Sequence, residues 1–359
     1  MRYFLSLTRF NFFCGIFLAG LLFSGCAKNV LPTPEIPTRV VQKMPDITYH
    51  PRTNEHTTTL KVLAYNVEGM PFPIKSGRGQ YLKKIGKKLA KMRENGTEPD
   101  IVLLQEGFMD TTLDLINTAG YHNVVSGPKR GERGAKLKNA RAKAYQLGKH
   151  FFKGEGWGKL YHSGLYILSN FPITSRYVRG FKYCAGWDCL ANKGVMAAEV
   201  RLPGLPTPIM IGNIHMQAGG AADVPRARST QAYKLQVDET RKFFRSLPLN
   251  GNPFIFGGDF NIRNKESRLL HGLKTMRVEQ PNMLTRYYCT KVNLTCDIDM
   301  TLESDEAPWR YTQDLQGFIH GKDMKISAVR LQTVFDGTNK QNPKLSDHNG
   351  YMVTYELRW

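Results

Sequence analysis

The chain has 359 residues, of which 41% are hydrophobic, so it is long and apolar enough to bury a sizeable core. This composition excludes a mainly disordered chain, and the length allows one large α/β domain or two smaller ones. The formal net charge is +20, which predicts attraction to polyanions or to anionic membrane surfaces and says nothing about the fold.

The first residues are predicted to be a targeting sequence. Two arginines, Arg2 and Arg9, precede a short apolar stretch, FFCGIFLAGLLF, and small residues precede Cys26, which is the layout of a secretory signal. The sequence around Cys26 resembles a bacterial lipoprotein processing site, although Phe23 stands where that pattern prefers Leu. We therefore expect a signal peptide at 1–25, a lipidated Cys26, and export to a bacterial periplasm, outer membrane or cell surface. An ordinary signal peptide or an uncleaved anchor are the alternatives.

Residues 26–58 are predicted to be a linker. They contain five prolines and no helical periodicity, so an extended and semi-rigid segment is expected. It would hold the remaining domain, residues 59–359, away from a membrane anchored at Cys26.

Apolar runs and helical periodicity then alternate along the chain. Residues 79–96 predict a helix with lysines on its outer face, and residues 225–246 predict a longer one with Pro225 in its first turn. Strands are predicted over 61–65, 100–105, 164–173, 195–202, 208–214, 253–258, 327–335 and 350–358. Because strands follow one another directly in the second half, we expect an α/β fold with a mixed sheet or two packed sheets, rather than a pure parallel barrel.

Residues 129–159 differ from the rest in composition. They contain ten Lys or Arg, two Glu, and interleaved aromatic residues. Basic and aromatic residues together suit nucleic acid, and they equally suit a membrane surface, where cations meet anionic headgroups. A solvated loop insertion is the third interpretation, and the sequence leaves all three open.

Four cysteines follow the targeting segment, and they fall into two close pairs. Cys184 and Cys189 are five residues apart, and Cys289 and Cys296 are seven apart. In an oxidising compartment, two local disulfides are the simplest prediction among three possible connectivities. Zinc binding is the alternative, but no CxxC motif or nearby histidine pair supports it.

Several predicted strands end on a polar residue of catalytic or metal-binding type. These residues are Asn66, Glu106, His215, Asp259 and Asn261, with Asp347 and His348 just before the last strand. Buried strands hold the residues at their ends rigidly, so we expect one convergent pocket. Carboxylates, amides and histidines suit a hard divalent cation such as Mg²⁺ and a phosphoryl substrate. A buried Glu106 would need such a cation as its partner.

The histidines suggest two different tasks. His348 titrates near neutrality when unperturbed, which makes it a candidate general base that activates water. His215 is a candidate donor to a phosphate oxygen. Each residue alone is a weak signal, and the joint pattern is a strong one.

The order of the motifs YN, QE, NIH, GDFN and SDH resembles the endonuclease/exonuclease/phosphatase superfamily, the DNase I-like fold, over roughly residues 60–358. The resemblance implies a four-layered α/β sandwich with two packed mixed β-sheets flanked by helices, and phosphoester hydrolysis with Mg²⁺ or Mn²⁺. It implies Glu106 as the primary metal ligand, with Asn66 and Asp347 at the metal site. The catalytic residues that it implies are His348, His215, Asp259 and Asn261.

The flanking residues resemble one branch more closely. YNVEGMP, HMQA at 215–218, SGLYILSNFPI, DCLANKGV and the ARSTQAYKLQ stretch are similar to bacterial neutral sphingomyelinase C. This implies a phospholipid substrate or membrane surface as partner and a monomeric enzyme. An exported nuclease acting on nucleic acid, a phosphomonoesterase, and a lipoprotein that has lost activity are the alternatives.

One departure from the family pattern concerns the residue that orients the catalytic histidine. The family carries an Asp in a DYIF-like strand, whereas DLQGFIH places Gln316 or Gly317 there. Asp314, two residues away, is the candidate substitute. Without an orienting carboxylate, His348 would support a reduced rate.

Overall fold

The computed structural model describes residues 40–262, 266–276, 284–300 and 314–359. The predicted signal segment and Cys26 lie outside these residues. The strands are β1 (Thr48–His50), β2 (Glu55–Gly69), β3 (Ile101–Gly107), β4 (Asn123–Ser126), β5 (Tyr166–Ser169), β6 (Ile173–Gly180), β7 (Gly194–Val200), β8 (Ile209–His215), β9 (Phe254–Asp259), β10 (Asp297–Asp299), β11 (Asp314–Ile319), β12 (Lys325–Val334) and β13 (Gly350–Arg358). The helices are α1 (Arg78–Glu94), α2 (Thr111–Ala119), α3 (Ala140–Gln146), α4 (Arg226–Ser246), α5 (Glu266–Met276) and α6 (Thr285–Lys291).

The strands form two mixed sheets. The first has the order β10-β12-β13-β2-β3-β5-β4, with β1 paired to β2, and the second has the order β11-β9-β8-β7-β6. The neighbours β2 and β3 are parallel, as are β8 and β9, so the carboxyl ends of each pair lie at one edge of their sheet. This edge is where the sequence predicted the pocket.

Three apolar clusters define four layers. One lies between the sheets and includes Leu60, Val62 and Ala64 of β2 together with Ile209 and Ile211 of β8. The opposite face of β2 packs with α1 and α2, and the outer face of the second sheet packs with α4. Because both faces of the central strands are covered, these strands are almost continuously apolar. The predicted four-layered α/β sandwich is confirmed.

A buried amide pair joins the two sheets inside this core. Gln105 of β3 donates from Nε2 to Oδ1 of Asn213 of β8 at 2.7 Å. Asn213 in turn donates from Nδ2 to the carbonyl oxygens of Leu104 and Tyr166 at 2.8 and 2.9 Å. Buried polar groups of this kind are costly unless paired, so the bonds favour one register between the sheets.

The ordered fold begins earlier than the predicted linker boundary at residue 58. β2 starts at Glu55, and β1 pairs with it through Thr48 and Thr57. Further back, the ammonium of Lys43 lies 2.8 Å from the Asp100 carboxylate. The β-branched threonines at 57–59 favour a strand, whereas the prolines of residues 26–58 predicted an extended linker.

Both local disulfides are confirmed, Cys184–Cys189 and Cys289–Cys296, so these cysteines do not bind zinc. The basic segment 129–159 contains α3 and a 3₁₀ turn at Phe151–Lys153. Among the described residues, no helix has the length and apolar character needed to cross a bilayer.

Candidate active site

The polar residues predicted from the strand ends come together where the carboxyl ends of β2 and β3 in the first sheet meet those of β8 and β9 in the second. They are Asn66 at the end region of β2, Glu106 of β3, His215 of β8, Asp259 of β9, Asn261 after β9, and His348 before β13. Apart from Glu106, which is half-buried, all of them are buried. The first sheet therefore contributes one half of the site and the second sheet the other.

Glu106, His215 and Asp259 form a cluster that can hold a cation. Their ligand atoms all lie within 4.8 Å of one another. His215 Nε2 lies 3.6 Å from Glu106 Oε1 and 3.4 Å from Asp259 Oδ2. Neither ring nitrogen of His215 has a hydrogen-bond partner among the described residues. One buried and one half-buried carboxylate beside an imidazole are a suitable donor set for a divalent cation.

Asp259 is the most heavily hydrogen-bonded member of this cluster. Its Oδ2 accepts from Nδ2 of Asn66 and from Nδ2 of Asn261, both at 3.1 Å. Its Oδ1 accepts from the Asn261 backbone N–H at 2.8 Å. Gly258 precedes it at φ 134°, where an added Cβ would lie 2.1 Å from the carbonyl oxygen of Ile214 in β8. The GGD sequence is therefore required for β9 to bring Asp259 close to β8.

A second cluster consists of Asp259, Asp314 and His348. His348 Nδ1 donates to Asp314 Oδ2 at 2.8 Å, and His348 Nε2 lies 3.9 Å from Asp259 Oδ2. Asp314 therefore supplies the orienting carboxylate that the family pattern places two residues later. Gln316 is used elsewhere, since its Nε2 donates to the carbonyl oxygens of Val62 and Tyr351.

Burial dominates the electrostatics of these groups. It raises the pKa of Glu106 to about 7 and that of Asp259 to about 6, although the positive charges of Lys193 and His348 oppose the shift. Burial also holds the pKa of His215 well below its usual range, so this imidazole is neutral. Burial alone would lower the pKa of His348, but Asp314 and Asp259 raise it to about 10.

A buried ion pair beside the site was not identified as functional from the sequence. Lys193 Nζ lies 2.7 Å from Asp188 Oδ1, and both side chains are buried. Asp188 also accepts the backbone N–H of Ala218 at 2.8 Å. Both residues belong to DCLANKGV, one of the stretches that carry the resemblance to sphingomyelinase C. A charged pair inside an otherwise apolar segment was the available signal.

Asp347 is not part of either cluster. Its carboxylate is exposed, and its backbone N–H donates to Glu68 Oε2 at 3.2 Å. Glu68 is buried, pairs with Arg78 at 3.3 Å and also contacts Lys75. The predicted role of Asp347 as a metal ligand stays a prediction, and Glu68 of the YNVEG motif is the buried carboxylate near it.

Backbone strain is concentrated at this edge. Glu68, Glu106 and Asn261 have φ values of 51°, 58° and 51°, in the left-handed region that non-glycine residues rarely adopt. The pairing of β2 with β3 is also irregular between Asn66 and Gly69. Such strain costs of order 1–3 kcal/mol per residue and tends to occur at functional sites.

Comparison with solved structures finds the same fold in enzymes of several names. A beta toxin mutant from Staphylococcus aureus with bound magnesium ions has a TM-score of 0.56 at 16% identity, covering 82% of this chain and 99% of the toxin. Sphingomyelinase C from Streptomyces griseocarneus has a TM-score of 0.54 at 17% identity, with coverage of 82% and 99%. A humanized TDP2 from D. rerio has a TM-score of 0.52 at 14% identity, with coverage of 83% and 98%.

No curated protein sequence matches the chain. The sequence model of the Endonuclease/Exonuclease/phosphatase family matches residues 63–348, from within β2 to His348. The match thus begins and ends on the elements that build the site. Since it spans well over half of the chain, the protein belongs to the endonuclease/exonuclease/phosphatase family.

Proposed function

We propose that this protein is a Mg²⁺-dependent phosphodiesterase that hydrolyses a phospholipid in the manner of a sphingomyelinase C. The observation that carries the chemistry is the position of Asp259, which belongs to both clusters of carboxylates and histidines. A candidate cation site and a histidine–carboxylate pair therefore meet at one side chain. This is the arrangement that hydrolysis of a phosphate ester by water requires.

Glu106 and Asp259 would hold the cation, either Mg²⁺ or Mn²⁺, and His215 lies beside both carboxylates. When bound there, it would supply positive charge that polarises a phosphoryl oxygen and lowers the pKa of a nearby water and of His348. The raised pKa values of Glu106 and Asp259 support this assignment, because a neighbouring cation would favour the ionised form of both carboxylates.

The side chains of the site have separate roles in the reaction. His348, fixed by Asp314 through Nδ1, takes a proton from water at Nε2. The water oxygen attacks phosphorus, and the P–O bond to the lipid alcohol breaks. The departing oxygen receives a proton from solvent, and the imidazolium of His348 later releases its proton to solvent. His215 donates an N–H to a phosphoryl oxygen as negative charge develops. Asn66 and Asn261 hold Asp259 in place through the bonds to its carboxylate.

The choice of substrate draws on different support. Two of the fold neighbours are a sphingomyelinase C and a beta toxin, and the HMQA stretch, which resembles this branch, begins at His215, the last residue of β8. In favour of a nuclease are the similarity to TDP2 and the net charge of +20, because binding to nucleic acid is largely electrostatic. We place the lipid substrate first. The two disulfides support export, and lipidation of Cys26 stays a prediction.

The test is a parallel assay of the same preparation on sphingomyelin vesicles and on plasmid DNA, with Mg²⁺ or with EDTA. The expected result is Mg²⁺-dependent release of phosphocholine without nicking of the plasmid. Nicking without phosphocholine release would replace the lipid substrate by nucleic acid. Activity unchanged in EDTA would reject the metal-dependent chemistry for either substrate.

A further inference from the structure

The basic segment 129–159 is fixed to the rest of the fold by a buried ion pair. Arg228 of α4 donates from Nη2 to Glu155 Oε2 at 2.6 Å, and from Nη1 to the carbonyl oxygen of Tyr145 at 2.6 Å. Glu155 also accepts the backbone N–H groups of His150 and Gly186. The backbone that carries the exposed side chains of this segment is therefore fixed to α4 by these bonds.

The exposed side chains include a group of large apolar residues. We define the aromatic patch as Leu147, Phe151, Phe152, Trp157 and Trp187. Leu147 and Phe152 are each 88% exposed. Ring centroids lie 5.9 Å apart for Phe151 and Phe152, 6.1 Å for Phe151 and Trp157, and 5.6 Å for Trp157 and Trp187, all edge to face. The four rings are contiguous, and a contiguous exposed apolar surface marks an interaction site.

A basic cavity lies beside the aromatic patch. It has a volume of about 270 Å³, and Lys136, Lys149 and Lys182 line it. Among the described residues that line it, only Glu155 is acidic, and Arg228 pairs with it. The cavity thus combines positive charge with an apolar neighbour, which suits the phosphate and the adjoining acyl region of an anionic lipid.

The patch is joined to the catalytic edge by the loop that the Cys184–Cys189 disulfide closes. Trp187 belongs to the aromatic patch, and the next residue, Asp188, binds Lys193 and the backbone N–H of Ala218. Ala218 follows catalytic His215 by three residues. On the outer side, Trp187 Nε1 donates to Asp223, which also pairs with Lys153. A surface held at the patch would therefore lie at the rim of the active site.

We propose that the aromatic patch and the basic cavity dock the protein on an anionic phospholipid bilayer. The rings enter the headgroup region, where aromatic side chains are favoured, and the lysines contact lipid phosphates. Nucleic acid fits less well, because the rings pack against one another instead of standing apart to receive stacked bases, and Leu147 offers nothing to a base. This inference rests on the proposed function, because a docking surface for lipid serves an enzyme whose substrate is a phospholipid.

The first test uses the four tryptophans of the full chain as reporters in EDTA, so that no turnover occurs. One variant, Trp309→Phe with Trp359→Phe, keeps only the patch tryptophans. The matched variant, Trp157→Phe with Trp187→Phe, removes them. Vesicles of brominated phosphatidylcholine and phosphatidylglycerol should quench the first variant strongly and the second weakly. Equal quenching of the two variants, or no quenching of the variant that keeps the patch tryptophans, would overturn the proposal. This holds even if a lipidated Cys26 also anchors the chain.

The second test separates charge at the cavity from charge in general. Replacing Lys136, Lys149 and Lys182 by Gln should weaken the quenching titration with phosphatidylglycerol by at least about 10-fold. The control replaces Lys83, Lys84 and Lys87, which are exposed on α1, and should change it little. Equal effects of both sets would overturn the assignment of the cavity. Tight binding of duplex DNA that the first set abolishes, without vesicle binding, would identify nucleic acid as the partner.

Docking and turnover can fail separately in these experiments. Loss of quenching with continued release of phosphocholine would reject docking at the patch and leave the proposed function intact. Quenching without release of phosphocholine would leave the docking surface intact and reject the lipid phosphodiesterase.

Discussion

The carboxylate of Asp314 accepts a hydrogen bond from His348 at 2.8 Å between Oδ2 and Nδ1. The bond fixes the tautomer of the imidazole and directs Nε2 towards Asp259. Asp314→Asn should therefore lower kcat by about 10²–10⁴-fold, because an amide at this position favours the wrong tautomer. The melting temperature should change little. Asp323→Asn, an exposed acid after the same strand, is the control, and equal activity of the two variants would contradict the role of Asp314.

His348 is expected to be the general base. His348→Ala should abolish turnover and keep the fold, which thermal unfolding checks. The exposed His122 provides a control variant, His122→Ala, which should keep full activity. Retention of more than about a tenth of the wild-type rate by His348→Ala would remove the residue as the base.

Glu106 is expected to bind the cation. Wild-type protein should gain up to about 2.7 kcal/mol of unfolding free energy at Mg²⁺ concentrations of about 100 Kd, and Glu106→Gln should lose most of this gain. Without metal, the variant should be at least as stable as wild type, because it no longer buries a carboxylate. Glu94→Gln, at the exposed end of α1, should respond to Mg²⁺ as wild type does. The same response in Glu106→Gln would refute the ligand assignment.

Glu155 should contribute stability that acid removes. Burial alone would raise its pKa, but hydrogen bonds from Arg228 and from the backbone N–H groups of Gly186 and His150 lower it below the ordinary value of 4.5. The native state thus binds fewer protons than the unfolded state below that pH. The ionised carboxylate stabilises the protein above pH 4.5, and this stability is lost as the pH falls through the lowered value.

The matching variant is Glu155→Gln, measured by urea unfolding at neutral and acidic pH. It should cost about 3–5 kcal/mol near pH 7, because it leaves Arg228 buried without a counter-charge, and less in acid. Glu132→Gln, which breaks a more exposed pair with Arg176 in the same segment, should cost no more than about 1 kcal/mol. A cost for Glu155→Gln that grows as the pH falls would contradict the assignment.

The site could be predicted as far as buried strands determine it. Glu106, His215 and Asp259 lie at or next to the ends of apolar strands, and the hydrophobic pattern predicts that such residues meet in one pocket. Asp314 could not be placed in this way. It joins the site because β11 pairs with β9 in a register that sets Asp314 opposite Asp259, and a register between distant strands is set by tertiary packing.

Asp188 and Lys193 were not assigned to the site from the sequence because Asp188 lies in a loop. Asp188 and Lys193 meet because a disulfide closes the loop that carries Asp188, and composition does not indicate the direction in which such a loop turns. The boundary predicted at residue 58 lies after β1 and within β2 for a related reason. Proline content indicated an extended linker, whereas the pairing of β1 with β2 depends on the tertiary arrangement of the strands that pair with the rest of β2.

The amide pair between Gln105 and Asn213 bears on how the two halves of the site stay aligned. Gln105 directly precedes Glu106, and Asn213 lies two residues before His215. A slip of one residue along either strand would move these groups by about 3.3 Å and turn them to the opposite face. Each of the QE and NIH motifs therefore contains one residue of the site, Glu106 or His215, and one residue of the amide pair that keeps the two sheets in register.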